Sequence, residues 1–319
     1  MLLVNFFTHH YRPRRLLGKS ENTTRLYLLS IRAFGKSLGH QATLADLTDE
    51  NLITHMQSVL DNHRSPATAN KDRCQLLAIW RLAVQLKMVD TWPNVPQLIE
   101  PERTPTAWLS SELLALLDTA AKQQGDFCGV PRSLWWRAML LLCLDTGERI
   151  GAVALMRWEW LNGEWATMPA EARKGKKRDK AFKLSPTTLE AIQAVRDVKV
   201  GGPKVFPWPY CRMYLWTLYK RLLVEANLPS GRRDKFHKLR RTTASTVHAA
   251  GLDAQDALDH EYRRTTKRYL DPRFNRERQP CDVLTEYLAN PLIPKTNSDV
   301  DRRSGPGDRR IDPGSNRSA

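Results

Sequence analysis

Five short motifs in the C-terminal two thirds of the chain carry side chains suited to phosphate chemistry. In chain order they are Asp145-Thr146-Gly147-Glu148-Arg149, Lys174-Gly175-Lys176-Lys177, Phe236-His237-Lys238-Leu239-Arg240-Arg241, Ala257-Leu258-Asp259-His260 and Thr265-Thr266-Lys267-Arg268-Tyr269. His237 and Arg240 are three residues apart, which places them on one face of a helix. Each motif is common by itself, so it is their combination and order that indicate a shared site.

The combined residue types match what the transfer of a phosphoryl group requires. The transition state spreads charge over the equatorial oxygens of phosphorus, so catalysis consists mainly of positioning and charge stabilisation. Arg149 and Arg240 offer planar, permanently charged groups that bind a phosphate through paired hydrogen bonds. A nucleophile must lose a proton and the leaving alkoxide must gain one, which histidine and lysine can do near neutral pH. Tyr269 is the candidate nucleophile.

Such a set of residues predicts a site without a metal ion or a cofactor. Fixed positive charge would take the role of a metal at the phosphate, and the sequence shows no carboxylate cluster that could hold one. The five cysteines are far apart and form no Cys-x-x-Cys pair. That spacing argues against a zinc site and against a disulfide framework.

The charge of the chain indicates a polyanionic partner. Its 50 Lys and Arg against 34 Asp and Glu give a formal charge of +16. Three basic runs, 173–183, 232–241 and 263–276, together carry that whole excess, and each contains a candidate site residue. Nucleic acid or an acidic membrane surface would suit such charge. No apolar stretch approaches the roughly 20 residues of a membrane-spanning helix, so we expect a cytoplasmic protein.

The elements that must position these residues begin with a small helical domain at 20–92. Its apolar residues recur at helical spacing, and one face between Thr23 and Leu38 carries Tyr27, Ile31, Phe34 and Leu38. Thr48 is the predicted N-cap of the next helix, and Pro66 the start of another. Residues 1–19 are predicted to form an N-terminal arm. Four prolines between residues 93 and 105 cannot lie within a helix and predict a linker at 93–106.

A larger domain is predicted at 107–291. The strongly apolar stretch Trp135–Leu144 predicts a buried helix, and residues 155–185 predict a small antiparallel sheet that ends in the basic loop. Helical patterns return at Thr187–Val198, Tyr210–Ala226 and Thr242–Tyr269, the last with a break near Gly251. Residues 292–319 contain almost nothing apolar and are predicted to be a disordered tail. The fold class is mainly α with a small antiparallel β-sheet.

In order and spacing, the motifs resemble the tyrosine recombinase, or phage integrase, family. The resemblance covers about residues 20–275, and its most specific part is the pair His237 and Arg240 followed by His260 and Tyr269. The segment from Ala107 to Leu113 also looks like the start of that family's catalytic domain. The resemblance implies a helical core-binding domain followed by an α+β catalytic domain, which together form a clamp around double-stranded DNA. It also implies a tetramer on two DNA sites.

The resemblance further implies a role for each matching residue. Arg149 and Arg240 would hold the scissile phosphate, and Tyr269 would attack it to give a 3′-phosphotyrosine and a free 5′-hydroxyl. Lys174 would protonate the departing 5′ oxygen to give that hydroxyl, with Lys176 and Lys177 as alternatives in the same loop. His237 would assist proton transfer at the tyrosine, and His260 would hydrogen-bond the phosphate. Because the phosphotyrosine stores the bond energy, strand rejoining would need neither ATP nor a metal. Tyr262 is a rival nucleophile.

The chain departs from the family pattern at three points. Ala152 occupies a position that is commonly acidic, three residues after the first arginine. Asp259 replaces the glycine of a Leu-Gly-His sequence, so we expect it to reshape the loop and to oppose DNA with its charge. The interval from Arg240 to His260 is about one helical turn short.

Two further functional classes are consistent with these residues. The first is an integrase-fold protein that binds DNA as a regulator or accessory factor and has lost catalysis. The second is a topoisomerase of the same mechanism, which would relax supercoils as a monomer without a specific site. The nucleophile and both arginines are retained, which favours a site-specific recombinase over the non-catalytic protein.

Overall fold

The computed structural model describes residues 1–173, 175, 178–198, 201–274 and 280–289. The chain divides into two compact units, Met1–Arg103 and Thr104–Ala319, and each has its own hydrophobic core. The boundary falls within the segment 93–106 that the prolines mark as a linker. Within the described ranges, no helix is both long and apolar enough to span a bilayer.

The first unit is helical, as predicted. Its α-helices are α1 (Leu3–Phe6), α2 (Arg12–Arg15), α3 (Glu21–Leu38), α4 (Asp49–Asp61) and α5 (Pro66–Gln85), and a π-helical turn, Phe7–Tyr11, lies between α1 and α2. Thr48 caps α4 by accepting the backbone N–H of Asn51 at 3.2 Å. Ile31 and Phe34, from the predicted apolar face of α3, are buried in the core.

Residues 1–19 do not form the separate arm that we predict. Leu3, Phe6 and Phe7 are at most 1% exposed and belong to the core of the first unit. The backbone N–H of Leu3 also donates to the carbonyl of Ala42 at 2.8 Å. A short apolar run cannot bury itself, so it gains burial by packing on the neighbouring helices.

The second unit combines helices with short strands. Its helices are α6 (Ser110–Ala121), α7 (Arg132–Thr146), α8 (Ile150–Val153), α9 (Pro186–Val198), α10 (Arg212–Glu225), α11 (Phe236–Ala249), α12 (Ala254–Ala257), α13 (Arg263–Lys267) and α14 (Pro280–Ala289). Its strands are β1 (Asp126–Phe127), β2 (Val130–Pro131), β3 (Leu161–Asn162), β4 (Trp165–Met168) and β5 (Lys180–Lys183). The mainly α architecture with small antiparallel sheets agrees with the predicted fold class.

Helix α7 is the centre of the second core. It contains the predicted apolar stretch, and Trp135, Trp136 and Leu140 are at most 1% exposed. The two indole rings meet edge to face, with centroids 5.0 Å apart. Helices α6, α9 and α11 pack against α7 and complete this core. The end of α7 is therefore held in place by packing, which matters because the first motif begins in its last turn.

The predicted antiparallel sheet lies at β3–β4–β5. Burial alternates along β4, where Ala166 and Met168 face the core and Trp165 faces solvent. In the register, Ala166 pairs with Leu161 on one side and with Phe182 on the other. Residues 173–178, the basic loop, are the first part of the basic run 173–183 and lie between β4 and β5. The sheet therefore holds both ends of this loop.

Candidate active site

Arg149 lies directly before α8, at the N-cap position after a tight turn. Helix α7 ends at Thr146, and Gly147 follows with φ of +58°, a left-handed conformation that favours glycine. A Cβ atom on Gly147 would lie 3.0 Å from Cδ2 of Leu258, so this turn packs closely against the loop before His260. The geometry presents a half-buried Arg149 beside that loop.

His237 and Arg240 lie one turn apart on α11, as their spacing predicts. His237 is exposed in the first turn, whereas Arg240 is only 1% exposed. The Nη1 atom of Arg240 donates to the carbonyl of Gly147 at 2.5 Å, and Nη2 donates to the carbonyl of Leu258 at 2.8 Å. These bonds fix the guanidinium between the turn before Arg149 and the loop before His260.

The surroundings of Arg240 favour an anionic group. Burial lowers the pKa of the Arg240 guanidinium, and the charge of Arg149 adds to that effect. The carboxylate of Glu148 lies 4.0 Å from Nη1 and compensates only in part. The Nε atom of Arg240 is buried without a hydrogen-bond partner among the described residues. A phosphate oxygen would relieve both the repulsion and the unmade hydrogen bond.

His260 is placed by a sharp turn at the end of α12. The backbone N–H of Asp259 donates to the carbonyl of Asp256 at 2.9 Å, and that of His260 donates to Gln255 at 3.0 Å. Asp259 itself has φ of +52°. This is the hydrogen-bond pattern of a Schellman motif, in which the left-handed position is usually glycine. The loop therefore keeps the tight turn that a glycine favours, and the expectation that Asp259 reshapes it is wrong.

The ring of His260 is 8% exposed and connects two parts of the site. Its Nε2 atom is 3.0 Å from Nη2 of Arg240, and its Nδ1 atom is 3.0 Å from Oγ1 of Thr266. Because a guanidinium only donates, Nε2 accepts and the proton is assigned to Nδ1. Burial, followed by the charges of Arg240 and Arg149, lowers the pKa of His260 to about 4. A neutral imidazole thus orients Arg240, and its hydrogen bond to a phosphate stays a prediction.

Tyr269 lies against the two histidines and the buried arginine. Its hydroxyl is 2.8 Å from Nε2 of His237. Its ring centroid is 4.9 Å from that of His260 and 5.6 Å from the guanidinium carbon of Arg240. The candidate nucleophile, a histidine that could accept its proton and a candidate phosphate-binding arginine are therefore adjacent, which is the arrangement that an activated hydroxyl requires. The rival Tyr262 is 66% exposed.

The backbone around Tyr269 is held by side chains that the sequence analysis did not select. Oγ of Ser245 donates to the carbonyl of Tyr269 at 3.2 Å and accepts the backbone N–H of Asp271 at 2.9 Å. The buried carboxylate of Asp271 accepts the backbone N–H of Ala107 at 2.7 Å and pairs with Arg273 at 2.7 Å. The backbone at Tyr269 is thus tied to α11 and to the first residues of the unit.

The structure does not identify the lysine that would protonate the departing 5′ oxygen. Lys174, Lys176 and Lys177 lie outside the described residues, so their placement stays a prediction. Arg173 and Arg178 flank them, and both form ion pairs with Asp259. The carboxylate of Asp259 is thereby neutralised within the protein, so the expected opposition to DNA is not its main electrostatic effect.

The basic runs do not all face outward. Four of their members, Arg173, Lys238, Arg240 and Arg241, are at most 8% exposed. The Lys238 ammonium, for example, lies 3.4 Å from the ring centroid of Trp108. Part of the charge that the sequence shows is therefore used inside the protein. Across the described ranges, no group of three or more His, Cys, Asp and Glu side chains is arranged to hold a metal ion.

Comparison with known proteins identifies the family of the chain. Residues 109–276, more than half of the 319 residues, match the model of the phage integrase family. The matched range contains all six predicted site residues. The chain therefore belongs to the phage integrase family. Comparison with curated protein sequences finds no significant match.

Solved structures of integrases share the fold. A lambda integrase dimer bound to a COC′ core site has a TM-score of 0.68 at 20% identity, over 88% of this chain and 98% of that one. A lambda integrase tetramer bound to a Holliday junction gives 0.68 at 18%, over 88% and 79%. The Tn1549 transposon integrase in complex with circular intermediate DNA gives 0.67 at 14%, over 90% and 99%. At these identities the likeness establishes the fold.

Proposed function

We propose that the protein is a site-specific tyrosine recombinase that breaks and rejoins DNA strands through a 3′-phosphotyrosine, without a metal or ATP. The observation that carries the proposal is the 2.8 Å hydrogen bond between Tyr269 and His237 beside the buried Arg240. Family membership and the order of the motifs in the sequence support the same chemistry. A protein that had kept only the fold would have no reason to keep this set in contact.

The proposed roles are those that the family resemblance implies, supported for the described residues by the contacts of their side chains. Arg149 and Arg240 bind the oxygens of the scissile phosphate, and His260 orients Arg240. The Oη atom of Tyr269 forms a bond to phosphorus while the bond from phosphorus to the 5′ oxygen breaks. The tyrosine proton passes to His237, and a lysine of the basic loop, Lys174 by its place in the motif, protonates the departing oxygen. The reverse steps reseal a strand.

DNA binding and assembly are proposed from charge and from the related structures. The exposed members of the basic runs, such as Arg263, Arg264 and Lys267, suit contacts to phosphates. The similar lambda and Tn1549 integrases are bound to DNA, and one lambda structure is a tetramer on a Holliday junction. We propose the same tetrameric assembly on two duplex sites.

The test is trapping of a covalent adduct. The protein is incubated with EDTA and without ATP on nicked duplexes taken from DNA that flanks its gene, and the reaction is quenched with detergent. We expect an adduct for wild type and for Tyr262→Phe, the matched control, and none for Tyr269→Phe. An adduct that survives in Tyr269→Phe would move the nucleophile elsewhere. Duplex binding without any adduct from wild type would favour a non-catalytic DNA-binding protein.

A further inference from the structure

Asp259 joins both ends of the basic loop at 173–178. Its Oδ2 atom pairs with Nη1 of Arg173 at 2.9 Å, and its Oδ1 atom accepts from Nε of Arg178 at 2.8 Å. Arg173 also donates to the carbonyl of Arg178 at 3.1 Å, which closes the base of the loop. The residue next to Asp259 is His260. One carboxylate therefore ties the loop that contains Lys174 to the loop that places His260.

Glu148 holds Arg173 from the opposite side. Its Oε1 atom accepts from Nε of Arg173 at 2.8 Å and from Nη2 at 2.5 Å. Its Oε2 atom accepts the backbone N–H of Arg149 at 3.0 Å and lies 4.0 Å from Nη1 of Arg240. The side chains of Glu148 and Arg173 are 2% and 7% exposed. Glu148 thus connects the base of the basic loop to both proposed phosphate-binding arginines, and Asp259 connects that base to the loop of His260.

Burying the charged side chains of this network costs desolvation free energy, which indicates a use other than stability. Buried ion pairs contribute little to stability once desolvation is counted, so they are weak as a stabilising device. Asp259 also occupies a left-handed position at φ of +52°, where glycine would be free of strain. Hydrogen bonds from Arg178, and then those from Arg173, hold the pKa of Asp259 below its usual value, so the carboxylate is charged. The acidic residue expected at Ala152 is absent, and Glu148 supplies a carboxylate beside Arg149.

We propose that Asp259 and Glu148 are positioning residues for protonation of the leaving 5′ oxygen, because through Arg173 they fix the base of the basic loop relative to Arg149 and Arg240. This inference rests on the proposed function, since it requires that a lysine of the loop be the acid. Asp259, which stands where the family commonly has a glycine, thereby acquires a role in the reaction.

The chemistry of the leaving group gives a selective test. With an ordinary phosphodiester, the departing 5′ oxygen must take a proton from the lysine as its bond to phosphorus breaks. When sulfur replaces that bridging oxygen, a thiolate departs, and a thiol is acidic enough to leave without a proton donor. A defect confined to protonation therefore disappears on the sulfur substrate. A defect in phosphate binding, in the nucleophile or in folding remains.

The experiment measures adduct formation by the full chain on paired nicked duplexes with oxygen or sulfur at the 5′ bridging position. The variants are Asp259→Gly, which keeps the turn, Asp259→Asn, which removes only the charge, and Glu148→Gln. Glu164→Gln is the matched control, because it removes an exposed ion pair to Lys183 on the same sheet. Arg240→Ala serves as the variant that sulfur should not rescue.

We expect the Asp259 and Glu148 variants to lose about tenfold or more in rate on the oxygen substrate, which is part of the roughly 100- to 10,000-fold that a general acid contributes. On the sulfur substrate they should recover to within about threefold of wild type. Such recovery also shows that the variant is folded. An equal loss on both substrates, or no loss on oxygen, would overturn the positioning role while leaving the proposed function intact. No adduct from wild type on either substrate would overturn both.

Discussion

The substitution Gly147→Ala tests the close packing of the turn before Arg149 against Leu258 and Thr243. In Gly147→Ala the new Cβ atom would lie 3.0 Å from Cδ2 of Leu258 and 3.1 Å from Cγ2 of Thr243. The residue also has φ of +58°, which an L residue adopts only with strain. Because the Gly147 carbonyl accepts from Arg240, the change disturbs the buried guanidinium as well.

Two costs combine at Gly147, and a second glycine separates them. A left-handed alanine costs roughly 1–2 kcal/mol in the fold, and overpacking adds about 1–3 kcal/mol. Gly163 has nearly the same φ, +56°, but a Cβ atom there would meet nothing within 4 Å. Gly163→Ala is therefore expected to cost about 1–2 kcal/mol and Gly147→Ala about 2–5 kcal/mol in unfolding free energy.

Urea unfolding followed by tryptophan fluorescence measures both free energies. Eight of the ten tryptophans lie in the second unit, so the signal reports mainly on it. We also expect Gly147→Ala to form adduct more than about tenfold more slowly, because a displaced Arg240 stabilises the transition state less well. Equal unfolding free energies for the two variants would refute the close contact with Leu258 and Thr243.

Three further predictions concern stability, the nucleophile and DNA. Burial lowers the pKa of His260 from 6.5 to about 4, so between these pH values the unfolded chain binds more protons than the folded chain. As pH drops through this range, the unfolding free energy of wild type should fall relative to that of His260→Gln, by up to about 1.4 kcal/mol per pH unit. Parallel curves of unfolding free energy against pH for the two proteins would contradict this. Ser245→Ala removes the bond to the Tyr269 carbonyl and should slow adduct formation about tenfold with unchanged duplex affinity; a weakened affinity measured by fluorescence anisotropy would instead indicate a general defect. Duplex affinity should fall steeply between about 50 and 200 mM salt, and a flat response would argue against several Lys and Arg contacts to phosphates.

Much of the fold follows from local patterns in the sequence. The apolar stretch at Trp135, the N-cap at Thr48 and the alternation along β4 each specify their element without long-range information. The N-terminal segment shows where such patterns stop being sufficient. Leu3 and Phe6 are recognisably apolar, but the helices that cover them are distant in sequence, so their burial in the first core could not be foreseen.

The residues that meet at the candidate site were predictable from the sequence, but the side chains that support them were not. The order of Arg149, His237, Arg240, His260 and Tyr269 indicates phosphoryl transfer, and the structure brings these side chains to the same region. Glu148 lies in the sequence between a predicted buried helix and Arg149, and an acidic residue in that position predicts a buried ion pair. Ser245 and Asp271 gave no such signal, because a serine on a helix and an aspartate after a tyrosine are ordinary until the backbone brings them together.

The left-handed turn at Asp259 also bears on how this chain can change over generations. Aspartate and glycine codons differ at a single base, and both residues are compatible with the turn. A mutation to glycine would therefore remove the carboxylate and its ion pairs in one step, without straining the backbone of the turn. Since the backbone would tolerate that loss, persistence of the aspartate across related chains would reflect selection on its ion pairs rather than on the turn.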